Sequence, residues 1–285
     1  MIPGAAQAVV ETILCREKAA MERWRHGDPM GWAEISTDEV TYVDPDLTEP
    51  IRGLEAYRRF LGTLVGMVRY EGSEFIDPRV ALYGDVAVLA YNYVSTVRDA
   101  AGEIARRTPW NSTEVYALVG EDWKIIHTHW SYICGRPPDA WEVRSLAPAA
   151  ATEYAAVLAE LLSLERAAME RWCRGDPRGF AELSAEEVTG FDVGAPRRID
   201  GLDAWAEYLR KAARVRYGSV EFVGPSVQVH GHAAVLSYRY ISAMLDPDGS
   251  IASWTPWNCT QVFVRRQDKW KIVHTHRSHV LGRGV

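Results

Sequence analysis

The sequence predicts an α+β fold built twice, as two tandem domains, each with N-terminal helices packed on a curved antiparallel sheet. Three observations carry this. Thr108-Pro109-Trp110-Asn111, followed by Trp-Lys-Ile-Ile-His-Thr-His at Trp123 to His129, recurs 147 residues on as Thr255 to Asn258 and Trp270 to His276. A match of that kind between two halves of one chain means internal duplication. Ahead of the motif in each half, apolar residues recur at helical spacing; closer to it the pattern alternates, as in half-buried strands. A chain of 285 residues also suits two domains at roughly 150 residues each.

In chain order, Val10, Ile13, Leu14, Ala20, Met21 and Trp24 form an amphipathic stripe that Leu158, Leu161, Leu162, Ala168, Met169 and Trp172 repeat. Gly27 suits the helix end, and Asp28-Pro29 an N-cap with Pro at the first position of a short second helix; Gly175-Asp176-Pro177 does the same later. A short strand from Val40 to Val43 stops at Asp44-Pro45, and its copy, Val188 to Phe191, stops at Asp192. A third helix runs from Leu54 to about Val65, with a copy after Gly201. From Tyr70 the chain reads as a meander with turns at Gly84-Asp85, Asp99 to Gly102 and Gly120 to Asp122. The Pro- and Ala-rich stretch after Gly135 reads as a linker, giving domains over 5–135 and 152–285 with the linker at 136–151.

Composition excludes several function classes. A net charge of −6 with no basic face argues against nucleic acid. No run approaches the ~18 apolar residues of a membrane span and no signal peptide opens the chain, so a cytoplasmic protein without a membrane partner is expected. Cys15, Cys134, Cys173 and Cys259 lack the paired spacing of a zinc site and read as reduced thiols. No Gly-rich phosphate loop and no Gly-x-Ser-x-Gly elbow is present, so no cofactor is expected.

Helices followed by a sheet ending in a Trp-Lys-Ile-x-His-x-His strand resemble the nuclear-transport-factor-2-like superfamily, and its SnoaL-like branch in particular. The resemblance covers both halves and implies cone-shaped domains that pair through their sheets, here as an internal pseudo-dimer, with association of further copies as a second expectation. Thr41-Tyr42-Val43-Asp44-Pro45 resembles the segment of ketosteroid isomerases whose aspartate is the catalytic base. The last strands, through Val262 to Arg266 and His274 to Ser278, resemble the association domain of the calcium/calmodulin-dependent kinase. One relative is an enzyme and the other an assembly and ligand-binding module, and fold alone does not choose between them.

The resemblance makes Asp44, and Asp192 in the second copy, the candidate proton-moving carboxylates, since a carboxylate desolvated by an apolar cavity suits a general base. An Asp-Pro turn is the structural alternative for Asp44. The oxyanion tyrosine that isomerases carry on the first helix is missing from both copies, leaving the base without an evident donor. Strand alternation puts Trp110 and Glu114 on one face, with Trp257 and Gln261 in the copy; the kinase resemblance implies that Glu114 and Gln261 point into the cavity, and it implies the same for Trp130 and Arg277. Trp24, Trp172, Asn111 and Asn258 complete the substrate-binding candidates, with core packing as the alternative for the tryptophans. His127 and His129, and likewise His274 and His276, share one face; alternation groups the first pair with Trp123 and Ile125. Without a further carboxylate or Cys in both copies they do not read as a metal site, and acid–base and structural roles both stay open. Two function classes follow: a cofactor-independent isomerase, cyclase, dehydratase or hydratase acting on a small hydrophobic or polyketide-like substrate, or a non-catalytic binding or assembly module.

Overall fold

The computed structural model describes residues 3–67, 70, 72–98, 103–133, 154–213 and 217–281. The chain divides into two units, one comprising Met1–Asp44 and Glu49–Tyr132, the other Pro45–Thr48 and Ile133–Val285. The expected linker at 136–151 lies outside the described residues.

In the first unit α1 (Pro3–Arg25) buries Ile13, Glu17, Ala20 and Met21, one stripe at i, i+4, i+7 and i+8. The stripe is apolar except for Glu17. Gly27, at φ 88°, turns the chain out of the helix with its N–H on the Trp24 carbonyl. The Asp28 carboxylate then accepts the Met30 N–H at the start of α2 (Met30–Glu34), while Arg23 reaches Asp28 at 2.8 Å and Glu34 at 2.6 Å. One arginine thus fixes the corner between two helices. β1 (Ser36–Val43), β2 (Ile51–Arg52), α3 (Leu54–Thr63), β3 (Gly72–Tyr83), β4 (Val86–Arg98), β5 (Ile104–Val119) and β6 (Asp122–Tyr132) follow.

The second unit repeats this as α4 (Ala155–Cys173), α5 (Arg178–Leu183), β7 (Ser184–Phe191), β8 (Ile199–Asp200), α6 (Leu202–Ala212), β9 (Tyr217–His230), β10 (Ala233–Leu245), β11 (Ile251–Arg266) and β12 (Lys269–His279). The stripe of α4 again carries one acid, Glu165, and Arg171 bridges Asp176 and Glu182 as Arg23 does its partners. Sheet orders are β2-β1-β6-β5-β4-β3 and β8-β7-β12-β11-β10-β9. Each unit is therefore α+β, with helices ahead of a six-stranded sheet. The sheets are mixed rather than antiparallel, because β1 pairs in parallel with β6 and β7 with β12. That pairing joins strands about 80 residues apart, and local alternation carries no sign of it. The first strands also start four residues before the positions expected from the pattern, at Ser36 and Ser184.

A β-bulge corrects the expected grouping of the histidines. Val115 lies opposite His127 and Tyr116 opposite Ile125, so Ile126 has no cross-strand partner and the alternation slips by one residue. Residues paired across a ladder share a face, and a slip of one moves all later side chains to the other face. His127 and His129 consequently lie on the opposite face from Trp123 and Ile125, and Trp130 shares the face of Ile125. Val273 is the bulged residue in the copy. His127 is hydrogen-bonded through Nδ1 to Thr41, and His274 through Nδ1 to Thr189 at 2.7 Å. Burial pushes His127 down to about 3, which keeps its imidazole neutral.

Gly190 stands where the first unit has Tyr42. A Cβ there would meet Thr275 Cγ2 at 3.0 Å and the Trp205 ring at 3.1 Å. Gly190→Ala is therefore expected to cost about 1–3 kcal/mol by overpacking. Denaturant unfolding checks this, and an unchanged midpoint would show that the Trp205 ring yields freely.

Candidate functional site

Cross-strand pairing orders the helix-facing side of the second sheet into rows. Phe222, Tyr240, Trp257 and His279 form one row, Tyr238, Cys259 and Arg277 the next, and Leu236, Gln261 and Thr275 the third. Met169 and Trp172 on α4, Tyr208 and Ala212 on α6, and Asp192 just beyond β7 close over the first two rows. The result is a cavity of about 180 Å³ walled by Trp172, Tyr208, Tyr217, Tyr240 and Trp257, with Arg277 and Asp192 as its charged groups. Trp257 is held flat on Tyr240, rings 5.6 Å apart and 5° from parallel, and its indole N–H donates to Ser242 at 3.0 Å.

Arg277 is only 6% exposed. Its Nε lies 2.8 Å from Asp192 Oδ2, a close ion contact that is not aligned as a hydrogen bond. Its guanidinium carbon sits 5.9 Å from the Trp172 ring centroid, 5.5 Å from Phe180 and 5.3 Å from Trp205. Burial works most strongly against the charge, and Asp192 together with Tyr240, Cys259 and Tyr208 outweighs it and holds the guanidinium above its ordinary range. Asp192 also faces Tyr208, whose phenol is raised first by burial and then by that carboxylate. An arginine with aromatic rings around it and a cavity before it is a donor set for an oxygen anion or carbonyl.

In the first unit the same rows hold different groups. Trp130 takes the place of Arg277 and packs edge-on against Tyr91, Tyr93 and Trp110 at 5.8–6.0 Å. Tyr42, stacked on Tyr57, donates its hydroxyl to Asp44 at 2.8 Å. Beneath them Glu17 accepts from Tyr91 and Tyr116, both at 2.5 Å, and Glu114 accepts from Ser112 at 3.0 Å and Thr128 at 2.5 Å. Burial pushes Glu17 up to about 7, its tyrosine donors pulling the other way. Burial and then the charge of Glu17 raise Glu114 well above the carboxylate range.

The second unit keeps one of those acids. Glu165 accepts from Tyr238 at 2.7 Å, and burial pushes it up to about 7. Gln261 lies beside it in the place of Glu114 but without an aligned hydrogen bond, so Glu165 Oε1, Gln261 Oε1 and Thr275 Oγ1 are buried without partners. Burial likewise pushes His279 down to about 4; its ring packs 4.3 Å from that of Trp257.

Of the residues singled out in the sequence, Trp172, Asp192, Trp257 and Arg277 line one cavity. Gln261 lies a row deeper, and Glu114 is enclosed by its hydroxyl donors. Trp24 is half-buried, and Trp110 donates its indole N–H to Ser95 at 3.2 Å. Asn111 is not brought to the Trp110 face: it accepts from Asn92 at 2.7 Å and donates to Ser131, one residue out of phase, and Asn258 holds the matching position. Among the described residues no three His, Cys, Asp or Glu side chains converge as a metal-binding group. The residues that the sequence reasoning missed are Tyr208, Tyr240, His279 and the helix acids Glu17 and Glu165. The acids carried a readable signal, since the same charge sits on the buried stripe in both copies.

These acids set a pH dependence. The unfolded carboxyl ionises near 4.5, whereas in the fold Glu165 keeps its proton up to about 7, so its contribution to stability falls as pH rises between those values and then levels. His127 contributes with opposite sign, losing stability as pH falls from 6.5 toward 3. Comparing Glu165→Gln with the parent isolates the acid: the variant's relative stability should rise by on the order of 2 kcal/mol from pH 5 to pH 7. Parallel stability curves would overturn the assignment.

No curated protein matches the chain. Among solved structures, a protein of Parabacteroides distasonis named for ketosteroid isomerase is 36% identical, covering 42% of this chain and 84% of its own, with a TM-score of 0.37. The association domain of the C. elegans kinase is 21% identical over 43% of this chain and 95% of its own, TM-score 0.36. A nuclear transport factor 2-like superfamily protein of Salmonella enterica is 20% identical over 46% and 95%, TM-score 0.39. The sequence profile of the calcium/calmodulin dependent protein kinase II association domain matches residues 11–134 and again 158–280. The chain therefore belongs to that association domain family and carries it twice.

Proposed function

We propose that the second domain binds a small acidic molecule with a flat apolar body, its acid group on Arg277 and its body between the aromatic walls. The observation that carries this is the buried Arg277 at the cavity wall, its Nε 2.8 Å from Asp192 Oδ2 but without an aligned hydrogen bond. The cavity is smaller than the roughly 300–1,000 Å³ of drug-sized sites, which favours a single-ring ligand. Benzoate is the probe. Charge-assisted hydrogen bonds of about 1.5–3 kcal/mol predict that Arg277→Ala weakens benzoate binding about ten- to a hundredfold in titration calorimetry. Equal affinity in the variant would sink this reading.

A second reading, acid–base catalysis on a small carbonyl compound, is favoured by one specific feature. Isomerisation, cyclisation, dehydration and hydration each need a proton acceptor and a donor at the developing oxyanion, and the cavity places Asp192 beside Arg277. Asp192 would take the proton and Arg277 would hold the oxygen. In the first domain Asp44, with Tyr42 as its donor, is the corresponding pair. Solvent-deuterium exchange into carbonyl compounds should drop by about 10²-fold or more in Asp192→Asn. Exchange that persists in Asp44→Asn, Asp192→Asn and the double variant rules the carboxylates out. The family relationship also supports self-association: a light-scattering mass at a multiple of 32.0 kDa is the expected outcome, and a monomer at all concentrations counts against it.

A further inference from the structure

We propose that the second-domain cavity takes up its acidic ligand together with one proton, which Asp192 receives, so that the site senses pH through its ligand. The inference rests on the reading of Arg277 as the acid-binding group. As it stands the cavity is electrically neutral, because one guanidinium faces one carboxylate at 2.8 Å and both are less than a tenth exposed. A ligand carboxylate or sulfonate would bring a second anion to the same guanidinium. Two anions sharing one buried cation leave a net negative charge in an apolar enclosure, and like charges a few ångströms apart do not both stay ionised.

No other group nearby supplies the missing positive charge. The elements around the pair present Glu165 from α4, Tyr208 from α6, Tyr217 from β9, Tyr240 from β10, Cys259 from β11 and His279 from β12. The three phenols and the thiol are pushed up by burial, and His279 is held neutral above about pH 4. Glu165 adds negative charge above about pH 7 and cannot offset an anion. Asp192 is the carboxylate in direct contact with the guanidinium and it lines the cavity, so it is the group that an incoming anion displaces and that takes up a proton from solvent. Tyr208 beside it can reorient to serve the neutral acid as it served the carboxylate.

Calorimetric titration with benzenesulfonate, which carries no titratable proton near neutrality, tests this in two buffers of different ionisation enthalpy. The 285-residue chain should take up about one proton per ligand, and affinity should fall about tenfold per pH unit over the pH range in which that uptake occurs. Asp192→Asn should bind at pH 8 more tightly than the parent and with no proton uptake; thermal unfolding of the variant checks that it is folded. Uncharged benzamide should show no uptake in either protein. Benzenesulfonate binding without proton uptake overturns the inference and leaves the Arg277 reading intact. Uptake that survives Asp192→Asn and disappears in Glu165→Gln also overturns it, by moving the proton to the helix acid. No binding of benzenesulfonate or benzoate at any pH overturns the reading of the site, and the inference with it.

Discussion

A buried guanidinium is the constraint around which the second domain is arranged. Removing an unpaired charge from water costs several kcal/mol even after relaxation, so Arg277 stands inside the domain only because compensation surrounds it. Asp192 provides the counter-charge, and the rings of Trp172, Phe180 and Trp205 provide π-faces within 6 Å. Gly190 provides room: with no side chain there, the Trp205 ring reaches the sheet and stands against the guanidinium. Each is a neighbour on the helix-facing side, and none is explained by strand propensity.

The first domain solves the same scaffold without a cation. Trp130 occupies the Arg277 position and locks into Tyr91, Tyr93 and Trp110, while the polar burden shifts to the carboxyl pair Glu17 and Glu114, served by four hydroxyl donors. The replacements are concerted. Where Glu114 becomes Gln261, Ser112 becomes Cys259 and Tyr116 becomes Phe263, so one acid, one of its donors and one donor of the retained helix acid disappear together. On the other side of the sheet the domains agree, with His127 on Thr41 and His274 on Thr189. One face has been retained as scaffold and the other has diverged.

The legible part of this was the part written in local periodicity. The duplication, the helix stripes, the corner at Asp28-Pro29 and the meander all follow from residues near one another in sequence. Asp192 and Arg277 could be nominated singly, from a strand end and from a difference between copies. Their contact could not, because it depends on the parallel pairing of β7 with β12, which joins strands about 80 residues apart. The histidine faces failed for a different reason. A single bulged residue, Ile126 or Val273, inverts the phase of everything after it, and such an insertion leaves no mark in the hydrophobic pattern. Glu17 and Glu165 were passed over because a helical stripe is read for its apolar members, although an acid repeated at one place on that stripe is the more informative signal.

The same electrostatics decide what kind of molecule the second cavity can discriminate. A neutral ion pair in an aromatic enclosure exerts little net pull on an anion, so affinity depends on how well the ligand replaces the contacts that Arg277 already has. An apolar molecule of the right size would offer Arg277 no acceptor, at a cost of about 1–3 kcal/mol or more for a charged donor left unpaired. A flexible acid would lose rotamer freedom between Trp257, fixed flat on Tyr240, and the opposite wall. A rigid, flat acid avoids both penalties, and its selection follows from these costs, with no added attraction beyond the guanidinium.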